Sequence, residues 1–453
     1  MIGLISTAVI WGIAIGITRN ARWARPIDAL SKGLGREHAV LVLILLAFHS
    51  RATRTGAEDT LSNPFVIETI MRGALALAAL AVLAPMFLPN ARLSLAIRRK
   101  RYGMLGLGIY FVVAAVSTLW SASALNTAGK VLEISVAFGL VWVLVNREDN
   151  VDAIKRTIKM VLFLETALIM VAISGFLVWP SVFSDNLTRP GFFFRGTMVA
   201  PFGGPNGFSA VGAMLGSFAL ASYFQTPKGQ PRAHWVGLLM IGSISTTLSS
   251  GRQGVLIWLV GISIIMVIYR RELFLLFVAP LAVGMIMLNW DVVWGIVSRD
   301  QVSGSLNTLT GRTTLWAAGM DAFFQRPITG WGFGAGSRFV ALRAIGKDYL
   351  THIHNGFIEA LIGVGLLGFI PFIYVVFRTM GWSIRHLYRR VDVQFAILAV
   401  PLVLQNLFGL GFGAWFNTNL MMFALLVGLA DSMGVKPQVE RRRRRRISRS
   451  YAR

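Results

Sequence analysis

The chain has 453 residues, 55% of them hydrophobic and only 14% charged, with a formal net charge of +24 and a mean hydropathy of +0.64. A soluble domain carries about 25% charged residues, so this composition excludes a water-soluble core as the whole molecule and requires lipid-facing surface. No cysteine is present, which excludes a disulfide framework, thiolate metal sites and a cysteine nucleophile.

In lipid the backbone satisfies itself only as helices or as a closed barrel. The apolar runs are rich in Leu, Ile, Val and Ala and lack the alternation of barrel strands, so an all-α, polytopic membrane protein is expected. In chain order the runs lie near residues 2–18, 38–50, 65–88, 102–119, 128–146, 158–179, 206–224, 235–248, 254–269, 272–289, 356–377, 392–410 and 413–430. A spanning helix needs about 20 apolar residues. The second run is shorter, so 12 or 13 transmembrane helices are expected within one domain, 1–435. The first run has no basic residue before Arg19 and so lacks the basic start of a cleaved signal peptide.

Basic residues set the orientation. With the tail 436–453 and its Arg441–Arg446 run placed in the cytoplasm, alternation puts the basic loops Arg19–Arg36, Arg92–Arg101, Arg147–Lys159, Lys228–Arg232, Arg270–Arg271 and Arg378–Arg390 inside. If all 13 runs span, the N-terminus lies outside. The Arg run reads as a topology anchor on anionic membrane lipid, with no nucleic acid as partner.

The same alternation leaves residues 180–205, the turn 249–252 and the segment 290–355 outside. In the last of these, Arg312, Trp316, Met320 and Phe324 recur at helical spacing, which predicts an amphipathic helix ended by Pro327. A second short helix is expected through Ser337–Ala344, and the whole loop is expected to lie over the bundle. Two intramembrane charge pairs, Arg72 with Glu68 and Lys130 with Glu133, have helical spacing that lets each pair neutralise itself.

Candidate chemistry gathers on the outer face. Arg252 sits in "LSSGRQG" at a hinge between two apolar runs, and Arg312 opens the loop helix in "TLTGRTTLW". Arg189 and Arg195 precede a helix expected to start at Asn206, after the Gly203-Gly204-Pro205 turn. The planar guanidinium fits phosphate oxygens with two parallel hydrogen bonds, so these arginines point to a phosphate or diphosphate ligand. The stretch "THIHNGFIEALIGVGLLG" places His354 and Asn355 at the mouth of a membrane helix, with Glu359 one turn inside. "GWGFGAGS" does not fit the dinucleotide fingerprint. No nucleotide-binding lysine motif and no acidic cluster for a divalent metal is present, so no metal and no cofactor is expected.

Four motifs in order, "PNGF", "SSGRQG", "TGRTTLW…RPITGWGFGAG" and "HNGFIEALIGVGLLG", make the chain resemble the O-antigen ligase and polymerase family over roughly residues 185–380. These are bacterial membrane glycosyltransferases that use lipid-linked glycans. The resemblance implies a GT-C-like helical fold in the plasma (inner) membrane, with a helical extracytoplasmic loop covering a cavity. It implies an undecaprenyl-diphosphate-linked donor and a glycan acceptor. Arg252, Arg312 and His354 match the family's catalytic residues, although the arginine motif here carries an added Gly251 and Gln253. Arg195, Arg189, Asn206, Asn355, Trp331 and Glu359 are the expected substrate-binding residues, and Trp316, Trp331 and Tyr349 offer faces for sugars. The wording of the motifs favours a polymerase of O-antigen or exopolysaccharide repeat units over a ligase to lipid A-core or protein. A polymerase would work beside a chain-length regulator and a repeat-unit flippase. A flippase or transporter is the reading from another class, but it would show inverted repeats or broken helices at the midplane, and the sequence displays neither.

Overall fold

The computed structural model describes residues 40–44, 67–87, 101–190, 195–200, 204–249, 251–270, 312–347, 350, 352–409, 411–413 and 417–434. The expected runs 2–18 and 272–289, residues 290–311 of the outer loop and the tail 436–453 lie outside the described residues, and the run 38–50 is represented by residues 40–44, which are helical.

The described chain is helical almost throughout. Its helices are α1 (Ile67–Phe87), α2 (Tyr102–Val116), α3 (Ala124–Asn146), α4 (Asn150–Val178), α5 (Pro205–Gln225), α6 (Ala233–Leu248), α7 (Arg252–Ile268), α8 (Arg312–Gln325), α9 (Gly356–Arg389), α10 (Ala399–Phe408) and α11 (Thr418–Gly434). Among the described residues five helices are long and apolar enough to cross a membrane: α2 with its following turn to Trp120, α3, α4, α5 and α9. Shorter apolar helices accompany them, including α6 and α7. The chain is a multi-pass, all-α membrane protein.

One departure lies in the outer stretch 180–205. There β1 (Ser184–Pro190) pairs antiparallel with β2 (Arg195–Met198), Ser184 opposite Met198. The pair follows the end of α4 and lies outside the apolar spans, where an open sheet edge meets no hydrocarbon.

The helices form two packed groups. In one, α2, α3, α4 and α11 pack on each other; in the other, α5 packs against α6 and α7. α9 joins them, lying against α2 and α10. Without a water-driven hydrophobic force, membrane helices associate through close packing of small residues. At the α5–α6 contact a Cβ on Gly212 would lie 2.7 Å from the Gly242 carbonyl oxygen, and one on Gly242 2.6 Å from that of Gly212.

The ends assigned to the cytoplasm are tied by charge. Arg378 Nη2 lies 2.9 Å from Asp431 Oδ1. The same carboxylate accepts from the Gly103 N–H at 3.2 Å and the Met104 N–H at 2.7 Å, satisfying the start of α2. Lys155 Nζ meets Asp392 Oδ1 at 2.6 Å. Of the two expected intramembrane pairs, Lys130 Nζ holds Glu133 Oε2 at 3.0 Å as expected, and Arg72 Nη2 also reaches Glu133 Oε1 across helices at 3.2 Å. One carboxylate on α3 thus serves two cations, because α1 packs directly on α3. The Glu68 side chain lies outside the described residues.

The outer loop docks by backbone hydrogen bonds into a break in α9. Gly365 has φ +60 inside that helix. The N–H groups of Trp331 and Gly332 donate to the carbonyls of Ile362 and Gly363, each at 2.9 Å. In return the N–H groups of Leu366 and Leu367 donate to Pro327 at 2.8 Å and Ile328 at 3.1 Å. The sequence reading anticipated no broken membrane helix, and this one corrects it. Its freed backbone groups are filled by the loop itself, so the break serves as a docking joint.

Candidate functional site

Three helix starts carry the family-type motifs, and the fold brings them together. α7 begins at Arg252, α8 at Arg312 and α9 at Gly356. Helix N-termini favour anions through their unpaired N–H groups and dipoles.

Arg312 is the link between them. Its Nη1 donates to the Phe408 carbonyl at 2.6 Å, at the end of α10, and reaches Gln253 Oε1 at 3.4 Å. Arg252, half-buried, is the neighbour of Gln253 on the first turn of α7. The added Gly251, with Gly254, has a packing reason. The Ser209 hydroxyl on α5 donates to the Gly251 carbonyl at 3.0 Å, and a Cβ on Gly251 would lie 2.6 Å from Ser209. The start of α5 therefore rests against the arginine turn. That helix begins at Pro205 with Gly204 as its cap, which makes no side-chain hydrogen bond, so Asn206 sits inside the first turn rather than opening it.

The turn before α9 is braced on three sides. Asn355 caps the helix, accepting from the N–H groups of Phe357 at 3.0 Å and Ile358 at 3.1 Å. Glu359 Oε1 accepts from the Ile353 N–H at 2.8 Å. The Trp316 indole N–H from α8 donates to the Ile353 carbonyl at 3.1 Å. Between these ties His354 adopts φ +58, a left-handed backbone that non-glycine residues rarely hold without support. Its ring packs edge-on against His352, with centroids 4.2 Å apart. Burial, with the Arg312 charge adding to it, pushes the His354 imidazole down to about 4. His354 is therefore neutral near pH 7, with a nitrogen available to accept a proton.

Other expected site residues are placed differently. Trp331 docks at Ile362, nearly two turns along α9 from His354; its indole donates to the Ala322 carbonyl at 2.7 Å, and Arg326 lies 4.0 Å over its ring. These contacts anchor the loop, and Arg326 covers one face of the ring. Arg189 and Arg195 lie on β1 and β2, and their side chains lie outside the described residues, as does Tyr349. α8 ends at Gln325, before Pro327 as expected, but its buried face is Leu315, Ala318, Gly319, Ala322 and Phe323. Phe324, expected on the apolar stripe, is 69% exposed. The second loop helix is a π-helical turn, Ser337–Leu342.

The sequence reading missed the fourth side of the site. Gln405 and Asn406 on α10, and the glycine turn that follows, close it against Gln253 and Gly356. The available signal was a pair of amides inside the apolar run 392–410, since polar groups in a membrane segment are expensive and tend to be functional.

A family model described as O-antigen ligase matches residues 235–373, a stretch that contains Arg252, Arg312 and His354. The exopolysaccharide production protein ExoQ of Rhizobium meliloti (strain 1021) is 36% identical over 88 residues, 18% of this chain. The matched stretch spans 19% of that relative's length.

Proposed function

We propose that the chain, whose residues 235–373 match a family model described as O-antigen ligase, is a membrane glycosyltransferase. In this reading it moves a glycan from an undecaprenyl-diphosphate-linked donor to an acceptor hydroxyl on the extracytoplasmic face of the plasma membrane. The observation that carries this reading is the meeting of Arg312, the Arg252 turn and a neutral His354 at three helix starts.

Arg252 and Arg312 hold the diphosphate and neutralise the charge that grows on it as the glycosidic bond breaks. His354 accepts the proton of the acceptor hydroxyl as its oxygen bonds to the anomeric carbon. The lipid diphosphate leaves with the bonding pair, and a single displacement inverts the anomeric centre. Asn355 and Glu359 position His354 through the turn they brace. The cations in this step are guanidinium groups, so transfer should persist in EDTA; loss restored by one divalent ion would contradict that assignment.

The acceptor is another lipid-linked repeat unit, which makes the chain a polymerase. Similarity to a protein named for exopolysaccharide production supports this choice. The alternative is ligation of a finished glycan to lipid A-core or protein. Purified protein given only lipid-linked repeat units should yield a ladder of lengthening products. Transfer seen only when lipid A-core or protein is added would assign a ligase, and no transfer in either mixture would reject the enzyme reading.

A further inference from the structure

The joint between the loop and α9 leaves bulky apolar side chains uncovered. Phe324 is 69% exposed, Ile328 65% and Leu119, beside Trp120, 85%. Apolar residues that gather on a surface mark a contact with protein or with membrane.

Printed ties fix the depth of this segment. Trp120 Nε1 donates to the Thr329 carbonyl at 3.1 Å, and the N–H groups of Leu366 and Leu367 hold the carbonyls of Pro327 and Ile328. The span Tyr102–Trp120 has 19 residues, a rise of about 28 Å at 1.5 Å per residue. That is close to the roughly 30 Å of a hydrocarbon core. Its start carries the Asp431 carboxylate and Arg378, charges that belong at one boundary of the bilayer. Trp120 therefore marks the other boundary, and residues 327–329 lie level with it instead of standing above it in water.

The uncovered residues also continue a surface that faces lipid. Leu366, Leu367 and Ile370 on α9 are exposed, as are Val112 and Val116 on α2. Both helices are long and apolar enough to span, so lipid covers these side chains. Phe324 and Ile328 extend that surface past the break in α9. Between them the exposed Arg326 lies 4.0 Å over the Trp331 ring, a cation and an indole of the kind that gather at headgroup level.

We propose that the end of α8 and the turn after it, Phe324–Thr329, are seated in the lipid leaflet at the Trp120 end of α2. Phe324, Ile328 and Leu119 lie among the upper acyl carbons, and Arg326 meets the lipid phosphates. An interfacial seat of this kind lies about 5–10 Å into the boundary between headgroups and chains. The inference needs neither the donor nor the acceptor reading of the site.

The test uses the full chain in nanodiscs of phosphatidylcholine and phosphatidylglycerol. Because the chain has no cysteine, Phe324→Cys, Ile328→Cys and Ala344→Cys can each carry one environment-sensitive fluorophore; Ala344 is an exposed loop residue away from the joint. The labels at 324 and 328 should emit to the blue of the label at 344. They should lose most of the quenching by aqueous iodide seen there and be quenched by spin labels on shallow acyl carbons. Iodide quenching at 324 and 328 as strong as at 344 would overturn the proposal. Protection from iodide without quenching by the lipid spin label would also overturn it, and would assign the patch to a protein cover such as a second copy of the chain. A second measurement leaves the joint unaltered: a phospholipid with a diazirine on its acyl chain, photolysed with the wild type, should form adducts within residues 323–329 as well as at Ile370. Adducts at Ile370 with none in 323–329 would overturn the proposal without any substitution at the joint.

Discussion

At the scale of single residues, the proposed function rests on a neutral imidazole held beside a guanidinium. Burial and the Arg312 charge both disfavour the protonated form of His354 and lower it from its ordinary 6.5 to about 4. The neutral form is then present above that value and is lost only as pH falls through it. The acid limb of kcat/KM, which reports the free enzyme, should therefore lie well below pH 6.5; a limb near 6.5 would mean His354 is solvated or is not the base. For the arginines, shape matters as well as charge. Arg312→Lys keeps the cation but cannot reach the Phe408 carbonyl and a diphosphate with the same planar fork. It should retain the fold and lose most transfer, with donor affinity falling by about 1.5–3 kcal/mol. Unchanged affinity in a donor titration would remove Arg312 from the diphosphate. Arg252, Arg312 and His354 were legible because Arg and His at helix mouths stand out in an apolar sequence. Gln405 and Asn406 were not, because two amides within an apolar run look like tolerated exceptions until the fold shows what they face.

At the scale of elements, the outer loop is held by the break in α9. Gly365 needs φ +60, and a Cβ there would collide with the Ile328 carbonyl. Gly330, at φ +66, would place a Cβ 2.6 Å from the Gly363 carbonyl oxygen. Gly365→Ala should therefore undock the loop, with about 1–3 kcal/mol from backbone strain alone and more from the collision. Limited proteolysis should show faster cleavage within residues 326–347 while the membrane helices stay protected; unchanged protection would mean the joint does not hold the loop. The helices themselves were readable from long apolar runs. The break was not, because glycines spaced as in "GVGLLG" also suit small-residue helix packing, and the backbone partner that fills the break lies more than thirty residues earlier. The buried face of α8 was misjudged for a related reason: Gly319 lies against Ile358 and Ile362 of α9 with Ala318 and Ala322 buried beside it, since small residues permit close approach, while the bulky Phe324 turns outward.

At the scale of the whole molecule, the proposed topology puts the basic loops and the site on opposite sides of the membrane. The chain has no cysteine, so single introduced cysteines report topology directly. Ala344 in the outer loop and Lys228 between α5 and α6 are both exposed. In intact spheroplasts Ala344→Cys should react with an impermeant maleimide and Lys228→Cys only after lysis. The reverse pattern would put the site in the cytoplasm and contradict the extracytoplasmic assignment. The clasps at the opposite end, Arg378 with Asp431 and Lys155 with Asp392, would then have been given the wrong side as well.

The claim that joins these scales is that His354 carries out chemistry while the arginines hold the donor. Its most direct test is donor binding and single-turnover transfer, measured together on purified wild type and His354→Ala. The account predicts that His354→Ala binds lipid-linked donor nearly as the wild type does and transfers roughly 100- to 10,000-fold more slowly, the contribution of a general base. Transfer by a correctly folded His354→Ala at the wild-type rate would contradict it.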